Sequence, residues 1–136
     1  MANNLNLEVV TPQRSLLTEE VSSLVVPATE GYLGIMGNHT PIITGLQSGL
    51  IKYRQDGKSY YLAISSGFME VSHNKVTILA DSAERQGEID RDRALAARER
   101  AEIRLKERQP GVDVARAEFA LKRAIARLKA LEHKSQ

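Results

Sequence analysis

Apolar and polar residues alternate along short runs in the first two thirds of the chain. The first run, Leu5–Val10, sets Leu5, Leu7 and Val9 apart from the residues between them, which predicts a strand with one buried face. Comparable runs predict strands at 21–26, 32–36, 41–44, 49–54, 59–65, 68–72 and 75–80. Proline or polar turn residues separate these runs. Short strands at this spacing predict a β-sandwich or flattened barrel.

The pattern changes to helical periodicity in the last third. No Gly or Pro occurs between residues 90 and 108, where apolar residues recur in steps of three and four. This first stripe consists of Ala94, Ala97, Ala101 and Leu105. After Gln109-Pro110-Gly111, a second helix is predicted from about Asp113. Its apolar seam consists of Val114, Ala117, Leu121, Ala124, Leu128 and Leu131. The short link predicts an antiparallel pair.

Together these patterns predict an α+β fold in two parts. Residues 1–86 form an N-terminal β-sandwich that serves as a docking domain, and residues 87–136 form a C-terminal antiparallel two-helix hairpin. Alanine dominates the predicted helix contact, and each alanine buries little apolar area. Burial stabilises by only about 25 cal/mol for each Å² of apolar surface, so the contact is weak. We therefore expect the hairpin to be marginal alone and to depend on docking to the sandwich or to another subunit. That makes it a candidate moving part.

Composition narrows the class of protein. The chain has 136 residues with no Cys, no Trp and 4% aromatic residues, so its core must be aliphatic and disulfides are excluded. No run approaches the roughly 18 apolar residues of a membrane span. The net charge of +2 divides into −3 over residues 1–84 and +5 over residues 85–136. The excess of basic residues therefore belongs to the helical part.

Residues that could perform catalysis or bind a metal form no recognisable pattern. His39, His73 and His133 are far apart in the sequence, and no His-x-x-x-His spacing is present. His39 lies between glycine and proline in the segment 37–41, where a structural or interface role is favoured over catalysis. The chain contains neither a Gly-x-Ser-x-Gly element nor a phosphate-binding loop. We expect no catalytic residues and no metal site.

Arginines form a stripe on each predicted helix. The stripes consist of Arg93, Arg100 and Arg104 on the first helix and Arg116, Arg123 and Arg127 on the second. On an antiparallel hairpin they can converge on a polyanion, with Glu84 and Asp90 nearby as acceptors for a base amine or ribose hydroxyl. Interleaved acidic residues equally allow a solvated face of mixed charge. Nucleic-acid binding is disfavoured, because Phe119 is the only aromatic residue of this part and the basic residues are diluted by acidic ones.

Several segments follow one another in a characteristic order. An N-terminal strand is followed by Glu30-Gly31-Tyr32-Leu33-Gly34-Ile35-Met36-Gly37-Asn38-His39-Thr40-Pro41, by Ser66-Gly67-Phe68 and by the hairpin rich in alanine and arginine. This order resembles the ε subunits of bacterial F-type ATP synthases over essentially the whole chain. The resemblance implies a non-catalytic rotor subunit that links the γ subunit to the c-subunit ring and so couples the proton gradient to ATP synthesis. It also implies a peripheral position on the cytoplasmic face of the bacterial plasma membrane, with Tyr32 and His39 as candidate interface residues.

The same resemblance implies a regulatory role for the hairpin. In the family it moves between a state folded on the sandwich and an extended state that reaches the α and β subunits and inhibits ATP hydrolysis. Some members bind ATP in the folded state through an Ile/Leu-Asp-x-x-Arg-Ala motif, which residues 89–94 match. The candidate ATP-binding residues are therefore Glu84, Asp90, Arg93, Arg100, Arg123 and Arg127. ATP would be a regulatory ligand and no cofactor is obligatory; the alternative is a stand-alone ATP-sensing or polyanion-binding module.

Two positions depart from the family pattern. Arg91-Asp92 places two charges inside the ATP motif, where they can alter nucleotide affinity. Tyr32 stands where many relatives have an acidic residue in the turn that meets the c ring. The second departure suggests an aromatic contact with the ring in place of a polar one.

Overall fold

The computed structural model describes residues 4–133, of which the first part is a nearly closed ten-stranded β-sandwich. Its strands are β1 (Leu5–Val10), β2 (Ser15–Val21), β3 (Ser23–Ala28), β4 (Gly31–Met36), β5 (Ile42–Leu46), β6 (Gly49–Gln55), β7 (Lys58–Ile64), β8 (Gly67–Ser72), β9 (Lys75–Ala80) and β10 (Ala83–Arg85). A 3₁₀ turn (Gln86–Glu88) leads to the helices α1 (Arg91–Glu107) and α2 (Val114–Glu132). The predicted α+β fold, a sandwich followed by a helical hairpin, is confirmed.

Sequence periodicity misses most of β2 and all of β10, and it joins the last residue of β2 to β3. The predicted strand at 21–26 is wrong at both ends, because β2 already ends at Val21 and β3 continues through Pro27 to Ala28. Strand β2 escapes detection because Leu16 and Leu17 are both buried, which breaks the alternation. The pairing with β1 shifts register at this point, as in a β-bulge. Strand β10 has three residues, too few to show a period.

Among the strand pairings within residues 4–133, that of β1 with β9 is parallel. The strand order is β10-β7-β6-β3-β5-β8-β9-β1-β2, with β4 paired to β3 outside this path. β1 lies between β9, to which it is parallel, and β2, to which it is antiparallel. The largest fully buried side chains include Leu5, Leu7, Leu24, Ile35, Met69 and Ile78. The predicted aliphatic core is therefore confirmed.

Each helix begins directly after an aspartate, of which sequence analysis predicted Asp113 as a helix start. The Asp90 side chain accepts a hydrogen bond from the backbone N–H of Arg93 at 3.1 Å, and that of Asp113 accepts one from Arg116 at 3.0 Å. Each carboxylate thus satisfies one of the N–H groups that a helix start leaves without an intrahelical partner. Arg108 closes α1 in the left-handed conformation, with φ of 46°.

The hairpin docks on the sandwich through α2. This helix contacts β6 and β7, and α1 packs on α2. Of the predicted seam on α2, Ala117, Ala124 and Leu128 are buried and the other three positions are half-buried. A second stripe, absent from the prediction, joins the contact with the sandwich: Ala126 and Ala130 cluster with Leu50, Ala63 and Ile89. Because most of these side chains are small, the docking contact buries little apolar area.

The linker, residues 83–90, is tied to both parts of the molecule. On the sandwich side, the Arg85 guanidinium donates to the Leu16 carbonyl at 2.7 Å, and Arg14 pairs with Glu88 at 2.7 Å. On the hairpin side, the Gln86 amide donates to the carbonyls of Ala130 and His133 at the C-terminal end of α2. The linker therefore fixes where the hairpin sits.

Candidate functional site

Arginines from both helices converge with linker carboxylates around one cleft of about 360 Å³. We call it the arginine cleft; it is lined by Glu84, Glu88, Asp90, Arg93, Ala94, Ala96, Ala97, Arg100, Arg123 and Arg127. All six residues that sequence analysis proposed as a ligand site line this cleft. The remaining arginines of the two stripes, Arg104 and Arg116, lie instead near the far end of the hairpin, beside Gly111.

The three carboxylates of the arginine cleft are already engaged. Glu84 forms an ion pair with Arg127 of α2. Asp90 caps α1 through the N–H of Arg93, and Glu88 accepts hydrogen bonds from Arg14 and from the backbone of Arg85. Each of them therefore holds a guanidinium, a helix end or the linker in place as well as contributing negative charge.

The guanidinium groups are less fully paired than the carboxylates. Within residues 4–133, Arg93 and Arg100 form no ion pair, and Arg123 lies over the Phe119 ring with its Cζ 5.1 Å from the ring centroid. Four arginines face three carboxylates, so the cleft carries an excess of one positive charge. Three alanines of α1 leave space between the charged groups. This arrangement can hold an anion with several oxygens, because guanidinium groups bind such anions in paired hydrogen bonds.

Glu88 is the charged residue of the cleft that sequence analysis missed. The backbone N–H of Arg85 donates to Glu88 at 2.9 Å and, with the Arg14 guanidinium, holds the pKa of the Glu88 carboxyl below its usual value. Its position depends on the 3₁₀ turn and on Arg14, which is 74 residues away in the sequence. Arg85 at the N-cap has no acceptor atom, so the spacing from Arg85 to Glu88 is not a recognisable capping-box pattern and no local signal in the sequence indicates Glu88.

The two other residues that sequence analysis proposed, Tyr32 and His39, lie apart. Tyr32 is near the start of β4, is 64% exposed and approaches α2 near Lys122. His39 follows the opposite end of β4, and its Nδ1 lies 2.6 Å from the Thr40 carbonyl. The neighbouring Asn38 N–H donates to the Asn74 side chain at 2.6 Å, which ties this loop to the β8–β9 turn. Tyr32 and His39 therefore lie toward opposite ends of β4.

Comparison with protein families decides the affiliation of the chain. A family model described as "ATP synthase, Delta/Epsilon chain, beta-sandwich domain" matches residues 4–86, and "ATP synthase, Delta/Epsilon chain, long alpha-helix domain" matches residues 88–132. The chain belongs to the ATP synthase delta/epsilon chain family. Within residues 4–133, no helix is long and apolar enough to cross a membrane, and no cluster of acidic or histidine side chains is placed to hold a metal ion.

Individual members of the family match nearly end to end. The ATP synthase epsilon chain of Moorella thermoacetica is 52% identical over 128 residues, which are 93% of this chain and 96% of that one. The epsilon chain of Desulfitobacterium hafniense is 52% identical over 130 residues, 96% and 98% of the two chains. A chain of the Euglena gracilis mitochondrial ATP synthase structure (OSCP/F1/c-ring) shares the fold, with a TM-score of 0.83 at 24% identity over 98% of this chain and 84% of that one.

An exposed apolar face on the sandwich is a further feature that alternation along single strands did not reveal. Ile43, Phe68 and Leu79 are 73%, 64% and 54% exposed. Phe68 is paired with Gly45 on one side and with Leu79 on the other, so Phe68 and Leu79 are neighbours on one face of the sheet. Ile43 precedes Gly45 by two residues and points to the same face. We call these three residues the apolar face; clusters of this kind mark interaction surfaces.

Proposed function

We propose that this epsilon-type subunit is a rotor component of an F-type ATP synthase that links γ to the c-subunit ring, has no catalytic residue of its own, and regulates ATP hydrolysis through its hairpin. Membership of the family over both domains supports the first part. Through these partners it would lie at the membrane peripherally, on the cytoplasmic face of a bacterial plasma membrane. The arginine cleft supports the regulatory part.

For the rotor role, the apolar face is our candidate contact with γ. Phe68 and Leu79 are exposed to water, so burying them against a partner lowers the free energy of the complex. Phe68→Asp should weaken binding of the subunit to γ by at least about tenfold, because a carboxylate would be desolvated in the contact. Ile103→Asp, at a 45% exposed apolar position of α1, is the matched control. Equal binding by both variants in a pull-down with γ would contradict this assignment.

For the regulatory role, we propose that the arginine cleft binds ATP. The single observation that carries this proposal is that one cleft gathers all six residues which match the family motif and its arginine partners. The unpaired Arg93 and Arg100 would contact phosphate oxygens, and Glu84 and Asp90 would lie toward the nucleoside. Because the walls come from the linker, α1 and α2, bound ATP would hold the hairpin in its docked position.

Calorimetric titration of the full chain with ATP tests the site directly. Arg93→Ala and Arg100→Ala should each lower the affinity by about tenfold or more, the effect expected for a lost charge-assisted hydrogen bond. Arg98→Ala, on the same helix but paired with Glu102, should leave the affinity unchanged. Equal heats from all four proteins would refute the ATP site.

Inhibition of hydrolysis needs a separate experiment. When the subunit is reconstituted with α, β and γ, deletion of the residues after 88 should raise the rate of ATP hydrolysis, because the extended hairpin can no longer reach the catalytic subunits. The full chain gives the reference rate. An unchanged rate after deletion would remove the inhibitory role and leave the rotor role standing.

A further inference from the structure

A second pocket lies between α2 and the sandwich, away from the arginine cleft. It has a volume of about 220 Å³, and we call it the interface pocket. The sandwich contributes residues from β3, β4 and the β5–β6 connection, including Pro27, Tyr32 and Ser48, and α2 contributes Lys122 and Lys129 with the apolar residues between them. Its charged residues differ from those of the arginine cleft, so the two pockets are separate sites.

The wall on the sandwich side contains an orphaned polar group. The Ser48 hydroxyl is the one buried side-chain polar atom within residues 4–133 that has no hydrogen-bond partner. A buried hydroxyl without a partner is costly in a native protein and calls for an explanation. The adjacent Gly49 lets Pro27 pack closely against this wall, because a Cβ there would lie 2.8 Å from the Pro27 Cβ and 3.2 Å from the Tyr32 hydroxyl.

The wall on the α2 side combines positive charge with apolar surface. Lys122 and Lys129 are seven residues apart and therefore lie on one face of the helix, about 10 Å apart along its axis. Neither forms an ion pair within the part of the chain that the structure describes. Ile125 and Ala126 lie between them in the sequence, and Ala126 clusters with Leu50 of the sandwich. An apolar cavity with a few convergent polar groups is the usual form of a small-molecule site.

We propose that the interface pocket binds a small amphipathic organic anion. The apolar body of this ligand packs between Leu50 and Ile125 and its anionic group lies near Lys122 or Lys129. The buried Ser48 hydroxyl turns about χ1 to donate a hydrogen bond to the ligand. The volume is below the range of about 300–1,000 Å³ that suits drug-sized ligands, which limits the ligand to about ten non-hydrogen atoms. Binding in the interface pocket depends neither on ATP nor on the arginine cleft.

The position of the pocket gives such a ligand a regulatory effect. Its walls belong to both the sandwich and α2, so the pocket exists only while the hairpin is docked. A ligand that binds the docked form alone stabilises it by mass action. This consequence rests on the proposed mobility of the hairpin, whereas binding itself does not.

The test is a residue-resolved NMR titration of the full chain with 3-phenylpropionate, an aromatic carboxylate of suitable size. We expect saturable shifts of the Ser48, Gly49 and Leu50 amides with a Kd on the order of 1 mM, as suits so small a ligand. The double variant Lys122→Ala, Lys129→Ala should weaken binding by about tenfold, and Ser48→Ala by about threefold. Lys106→Ala, an exposed lysine on α1, is the control and should bind like the unaltered chain.

Two further probes separate this site from non-specific attraction. The neutral 3-phenylpropanol should bind more weakly than the carboxylate, and inorganic phosphate should not saturate the Ser48 shift. Equal binding of the alcohol, an equal shift with phosphate, or shifts confined to Ala94 and Ala97 in the arginine cleft would each overturn the proposal. Failure of ATP to bind would leave these results untouched, so the two proposals fail independently.

Discussion

Arg127 on α2 donates through its Nε to the carboxylate of Glu84 on β10, so an ion pair joins α2 to the sandwich at the rim of the arginine cleft. The Arg127 side chain is 31% exposed and the Glu84 side chain is 28% exposed. The pair therefore acts both in docking and in the electrostatics of the cleft, because an anion that binds Arg127 competes with Glu84.

We expect the Glu84–Arg127 pair to stabilise the docked hairpin. A double-mutant cycle with Glu84→Gln and Arg127→Gln should give a coupling free energy of about 0.5–1 kcal/mol, which falls with added salt. The docked fraction can be measured by energy transfer between dyes at Lys58→Cys and Lys106→Cys, because the chain has no native cysteine. A coupling energy of zero at low salt would show that the pair does not contribute to docking.

The Gln86 side chain should contribute more to docking than this ion pair. It donates to the carbonyls of Ala130 and His133, which are among the groups that a helix C-terminus leaves without an intrahelical partner. Gln86→Ala should destabilise the docked state by about 1–2 kcal/mol, with faster amide hydrogen exchange in the last turn of α2. Gln109→Ala, in the exposed α1–α2 connection, provides the control. Unchanged exchange in the Gln86 variant would refute the prediction.

Substitution of Ser66 by glycine should stabilise the sandwich. Ser66 has φ of 103°, a conformation that favours glycine, and the hydrogen bond from its hydroxyl to Asp81 at 2.9 Å is exposed. Ser66→Gly should raise the free energy of unfolding in urea by about 0.5–1 kcal/mol. Ser66→Ala loses the same hydroxyl but keeps the strained backbone, so it should be less stable than the original chain. Equal stability of the two variants would show that the backbone at residue 66 is not strained.

The Glu88 carboxyl makes the attachment of the linker sensitive to acid. The pKa of Glu88 is lowered from 4.5, mainly by the hydrogen bond from the backbone N–H of Arg85 and further by Arg14. A carboxyl with a lowered folded-state pKa contributes stability that is present above its unfolded pKa and is lost as the pH falls through the folded one. Glu88→Gln should therefore show a shallower loss of stability on acidification than the original chain, in urea unfolding measured at a series of pH values. Identical pH profiles would contradict the role of Glu88.

Most strands of the sandwich can be predicted from the alternation of apolar and polar residues, because one face of each strand is buried and the other is exposed to solvent. Alternation does not predict two strands. In β2, Leu16 and Leu17 are both buried at a bulge, and β10 is too short to show a period. The helix starts at Asp90 and Asp113 are predictable because capping is local in sequence.

The candidate sites also divide into residues that local sequence patterns indicate and residues that only tertiary packing brings together. Helical periodicity indicates the two arginine stripes. The resemblance of residues 89–94 to the family motif then narrows the candidates to the six proposed residues of the arginine cleft, including Glu84 on β10. Glu88 could not, because Arg14 reaches it from the β1–β2 turn. The interface pocket also escapes sequence analysis, since its walls come from strands and a helix that only tertiary packing brings together.

The parallel pairing of β1 with β9 has a consequence for synthesis on the ribosome. The first strand pairs through residues 6–10 with residues 75–79, so β1 and β2 cannot join the rest of the sheet until nearly all of the sandwich has been translated. The hairpin is made after that point and meets a surface of β6 and β7 that is already complete. Nascent chains halted before β9 should therefore remain sensitive to protease, and chains halted after the linker should carry a resistant sandwich.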